Sequence, residues 1–102
     1  MHSDVLEPQV RRAVWFFMSQ YSPVQQQVLR RALLTELDCL HHQLMQLTLG
    51  ESIAELKHSF LGITRCLALH EILSVPSITS IEPLMARVRL LLKVVREENH
   101  GQ

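Results

Sequence analysis

The side chains with chemistry to offer in this 102-residue chain are six histidines, two cysteines and ten carboxylates. Their spacing separates them sharply. His58 has the most distinctive setting, with Ala54 one turn before it, Gly62 one turn after it and Arg65 two turns after it. A glycine inside a helix costs about 1 kcal/mol against alanine, so Gly62 calls for a reason in packing or in function. Small residues on both sides leave an imidazole open to another molecule, and a glycine lets that molecule come close. An exposed imidazole is nucleophilic near neutral pH and can take up a phosphoryl group on one ring nitrogen. Arg65 is the cation able to meet an anion held there. The bland alternative is a solvated surface histidine, with Gly62 relieving a tight helix crossing.

No other constellation is as specific. Cys66 and His70 are four residues apart and could share a helix face, with His41 and His42 on the preceding helix. The set lacks a paired Cys-x-x-Cys element, so it is not read as a metal site. His41 and His42 are adjacent and point about 100° apart. Glu36, Asp38, Glu55 and Glu71 are scattered, and no carboxylate pair or phosphate-cradling glycine loop occurs. A histidine alone cannot activate a phosphoryl donor. The catalytic carboxylates and any Mg²⁺ are therefore expected on a partner, and no cofactor is assigned to this chain.

The elements that must hold His58 follow from apolar periodicity and punctuation. Ile53, Leu56, Phe60, Ile63 and Leu67 are spaced three, four, three and four, a stripe that faces a core. At about 100° per residue its centre falls nearly opposite His58, which is thus placed in solvent. Leu61 and Leu69 flank the wet strip as an apolar docking patch. Upstream, Ser22-Pro23-Val24-Gln25 reads as a capping box with proline at the first helical position. Leu29, Leu33, Leu37, Leu40, Leu44 and Leu47 form the long stripe that follows it. Glu7-Pro8 suits the start of a first helix with Val10, Val14, Phe17 and Tyr21 on one side.

Trp15, Phe16 and Phe17 are mainly core material on this reading. Three consecutive aromatics cannot all face one interior, so a homodimer or partner surface there is the second reading. Gly50 punctuates a short turn, and Pro76 ends the histidine helix. Thr79 or Ser80 can cap a last helix with the stripe Leu84, Val88, Leu91 and Val95. The spacing predicts helices over about 8–21, 23–48, 52–74 and 80–98. The expected architecture is all-α, a single domain over 1–102, an antiparallel four-helix bundle with short connections. The tail from Glu97 to Gln102 is expected to fray.

Composition agrees. The chain is 47% apolar with ten basic and ten acidic residues and a formal net charge of zero, which points to neither nucleic acid nor an anionic membrane. Arg87, Arg89, Lys93 and Arg96 read as the wet side of the last helix. Two cysteines without a signal peptide predict reduced thiols and a cytoplasmic setting. No apolar run approaches the length of a membrane span.

The run His58-Ser59-Phe60-Leu61-Gly62-Ile63-Thr64, followed by Leu67-Ala68, resembles the helix motif of histidine-phosphotransfer domains in bacterial phosphorelays, close to His-x-Leu-Lys-Gly-x-Ala. His58 matches the phosphorylated histidine, Gly62 the glycine that makes room for the receiver domain, Phe60 the inward apolar position and Thr64 the small one. The hairpin layout is similar over roughly 33–75. Two departures stand out: Leu61 replaces the usual lysine, and Ala68 stands where glycine is usual. The resemblance implies a phosphocarrier in a two-component system. Its partners would be a response-regulator receiver domain or a hybrid sensor kinase, and Ala54, Leu61, Gly62, Arg65 and Leu69 would form the docking and phosphate surface. The other expectation is a helical adaptor, regulator or secretion-type chaperone that binds a partner without chemistry.

Overall fold

The computed structural model describes residues 3–48 and 50–98; of the tail expected to fray from Glu97 to Gln102, residues 97 and 98 belong to the last helix and 99–102 lie outside the described residues. Among these the protein is all-helical: α1 (Ser3–Met18), α2 (Pro23–Gln46), α3 (Ala54–Cys66), a 3₁₀ turn at Val75–Ser77, and α4 (Ile81–Glu98). The short segment between α3 and the 3₁₀ turn adds Leu69 and Leu73 to the core.

Helix α4 packs against both α1 and α2, and α3 packs against α2 and the 3₁₀ turn. That central position explains why α4 is apolar on more than one side. Besides the expected Leu84, Val88, Leu91 and Val95, it also buries Leu92 and Val94. The cations of α4 turn to their neighbours. Arg87 Nε donates to the Leu73 carbonyl at 3.1 Å and Arg89 Nε to His41 Nε2 at 3.0 Å. Lys93 meets Glu7 at 3.1 Å and Arg96 meets Asp38 at 3.0 Å.

Helix α1 begins five residues before Pro8, and the proline lies inside it. Lying past the first turn, Pro8 forfeits the bond to the carbonyl of residue 4 and its ring crowds that carbonyl, a local cost to this end of α1. Val10, Val14 and Met18 are buried, whereas Trp15 and Phe16 are 60% and 64% exposed. Those two are therefore not core, which corrects the expectation. Only Phe17 turns inward, and its ring lies 5.4 Å from that of Tyr21.

Glu7 accepts from both Arg11 and Lys93, and Arg11 also reaches Glu97. The hydrogen bond from Arg11, then that from Lys93, holds the Glu7 carboxyl below the ordinary value of 4.5. A lowered carboxyl contributes stability above its ordinary value and loses it as the pH falls through the lowered one. The stability difference between wild type and Glu7→Gln, measured by urea unfolding, is expected at neutral pH and should be lost as the pH falls through the lowered carboxyl value.

Helix α2 starts as the sequence indicates. Ser22 Oγ accepts from the Gln25 amide at 3.2 Å and Gln25 Oε1 accepts from the Ser22 amide at 3.1 Å, with Pro23 in the first turn. Leu37, Leu40 and Leu44 are buried, and so is the charged Arg30. The turn to α3 is held by Glu51, whose carboxylate accepts from the Thr48 amide at 2.6 Å and hydroxyl at 3.0 Å. Gly50 sits at φ +91°, a backbone region that side chains disfavour.

The largest departure is the end of α3. The punctuation at Pro76 predicts a helix to about 73 or 74, yet α3 stops at Cys66. The Ala68 amide bonds to the Arg65 carbonyl at 3.1 Å and the Leu69 amide to the Thr64 carbonyl at 2.7 Å, with Ala68 at φ +58°. This is a Schellman motif closed without glycine. A second one follows, in which Ser74 at φ +52° bonds to Glu71 and Val75 to His70. Burial drives the break. On a continued helix Leu69 would lie about 200° from Leu67, on the wet side; after the break both are buried. Ala68 is exposed and pays the steric penalty of the left-handed conformation. Ala68→Gly is expected to stabilise the fold by about 1 kcal/mol, read as a higher urea midpoint at unchanged slope.

Candidate functional site

Helix α3 presents its two sides as the stripe predicts. Phe60 and Thr64 are fully buried, and Thr64 Oγ1 donates within the helix to the carbonyls of Phe60 at 3.0 Å or Leu61 at 3.1 Å. His58 lies on the opposite, exposed side, and among the described residues neither ring nitrogen has a hydrogen-bond partner. Ala54, Gly62 and Arg65 are exposed with it. Arg65 makes no ion pair with a described residue, so it is the cation available on this strip. Lys57, next to His58 in sequence, is held elsewhere by the Pro76 carbonyl at 2.9 Å.

The flanking leucines do not behave as expected of a docking patch. Leu61 is half-buried against the core and serves packing. Leu69 has no exposed surface at all, because the chain turns at Ala68 and carries it inward. It is not available to a partner.

Gly62 has nothing within 4 Å of where a Cβ would stand. It relieves no crowded helix crossing, and its φ requires no glycine. Gly62→Ala is therefore expected to stabilise the folded protein by about 1 kcal/mol, from helix propensity alone, in a urea titration. A residue that costs stability and meets no internal neighbour leaves free space over the helix beside His58.

That space runs into a groove of about 510 Å³ along the seam of α2 and α3. Ser59, Gly62 and Cys66 line it from α3, and Glu36, Cys39 and Gln43 from α2. The α2 residues were invisible to the sequence reading, because only the pairing of the two helices brings them beside Gly62. The two thiols are free and exposed. The residues weighed as metal ligands do not converge: His41 is engaged by Arg89, and no group of three or more His, Cys, Asp or Glu side chains gathers among the described residues. In comparisons with known proteins, no family model, curated protein or solved structure matches the chain.

Proposed function

We propose that this chain is a histidine phosphocarrier, similar to histidine-phosphotransfer domains, which relays a phosphoryl group between receiver-domain aspartates. The observation that supports it most is the open space at Gly62, one turn from the exposed His58. In this reading the four helices form an antiparallel bundle with short connections, with α3 as the histidine helix. A ring nitrogen of His58 attacks the phosphorus of a receiver phosphoaspartate in line. The P–N bond forms as the P–O bond to the aspartate breaks, and the carboxylate leaves. The reverse step passes the group to a second aspartate. Mg²⁺ and the acidic cluster stay with the receiver and carry the charge stabilisation. Arg65 meets the phosphoryl oxygens, and Ala54 and Gly62 line the approach. Such transfer is a cytoplasmic reaction. No helix among the described residues is long and apolar enough to cross a membrane.

The test is transfer from a panel of phosphorylated receiver domains, scored as acid-labile, base-stable label on this chain. Label on the wild type supports the carrier. No label from any receiver favours the second reading, a helical adaptor, regulator or secretion-type chaperone without chemistry. The exposed Trp15 and Phe16 on α1 speak for that reading.

A further inference from the structure

We propose that the groove between α1 and the end of α3 binds an acidic amphipathic helix of a partner protein. This site is separate from the His58 strip and does not depend on the phosphocarrier reading. The groove measures about 460 Å³ and is walled by Ala13, Phe16 and Phe17 on one side and by Leu67, Ala68 and Ile72 on the other.

The fold leaves this seam open. Helix α1 packs against α4, while α3 packs against α2 and the 3₁₀ turn. The left-handed turn at Ala68 then carries the chain away and leaves a small side chain in the wall. Phe17 and Leu67 are anchored in the core beneath, so the floor is preformed. Phe16 stands 64% exposed at the edge. Aromatic residues and arginine around an apolar centre are the composition of a protein interface. An open groove between two helices is the shape that takes an amphipathic helix.

Charge selects the occupant. No carboxylate lines the groove, and its one ionic side chain is Arg12, flanked by the amides of Gln9 and Gln20. Arg12 makes no ion pair with any described residue, whereas adjacent Arg11 pairs with both Glu7 and Glu97. An unpaired cation on the rim of an apolar groove complements a carboxylate beside apolar anchors. A second copy of this chain fits poorly. Its exposed apolar side chains on α1 and early α2 are Val5, Trp15, Phe16, Val24 and Val28. These lie on helical faces shared with Arg12 and Arg31, so self-association would set cation against cation. A lone arginine is also a weak anchor for an anionic membrane.

The test is selection of helix-biased peptides of about 16 residues from a display library on the full chain, with Trp15, the only tryptophan, as the fluorescent reporter. The expected pool carries apolar residues at i, i+4 and i+7 with Asp or Glu alongside. Synthetic members should shift Trp15 emission and lose about tenfold in affinity to Arg12→Glu, with a lysine-substituted peptide restoring binding to that variant. Phe16→Asp, an exposed position that should keep its circular dichroism spectrum, should abolish binding. His58→Gln should bind as wild type does, so failure of the phosphocarrier reading leaves this one standing. An empty, neutral or basic pool overturns the proposal, as does binding that survives Phe16→Asp. Concentration-dependent dimerisation removed by Phe16→Asp would assign the groove to a second copy, and Phe16-dependent binding to phosphatidylserine vesicles would assign it to a membrane. Either result also overturns the proposal.

Discussion

His58→Gln is expected to carry no label from any receiver domain that labels the wild type. The side chain is exposed and has no hydrogen-bond partner among the described residues, so the substitution removes a nucleophile and little else. Stability should stay within about 0.5 kcal/mol of wild type, as for an isolated surface change. The measurement therefore separates chemistry from folding in one variant. Phosphoramidate is lost in acid and survives base, which distinguishes it from an acyl phosphate on a carboxylate or an ester on Ser59. Label that persists on His58→Gln would end the proposal for His58 as acceptor. Gly62→Ala supplies the complementary control. It should fold more stably yet dock less closely, a combination that a merely structural glycine would not show.

Phe60→Ala, two residues from His58, is expected to lower the unfolding free energy by about 3–5 kcal/mol. Phe60 has no exposed surface and belongs to the one core cluster that joins all four helices. Its removal deletes a large apolar side chain and leaves a cavity that helices on several sides cannot all close. Domains of this size are stable by about 5–15 kcal/mol in total, so the variant should lie close to the unfolding threshold. Urea denaturation followed by circular dichroism would read the change directly. A cost below about 1 kcal/mol would mean that Phe60 is not packed as described. Two positions on one turn of α3 thus divide cleanly, with core packing on one and the proposed chemistry on the other.

That division was legible in the sequence, because it depends only on residues within a few turns of one another. The stripe of Ile53, Leu56, Phe60, Ile63 and Leu67 set which way His58 points. Ser22, Pro23 and Gln25 set where α2 begins, through bonds reaching no further than three residues. Local hydrogen bonding and helical periodicity act over just such distances. What depended on other elements could not be read this way. The free space over Gly62, the burial of Arg30 and the exposure of Trp15 and Phe16 each follow from which helix lies alongside. The end of α3 shows the same limit most clearly. Nothing local in Leu67-Ala68-Leu69 signals a stop, since no glycine marks the turn. Only the pull of Leu69 and Leu73 into the core, away from the stripe that ends at Leu67, makes a left-handed alanine the lower-energy course. Short-range pattern thus sets the helices and the face that carries His58. Packing between helices sets where α3 ends and which apolar side chains remain in water.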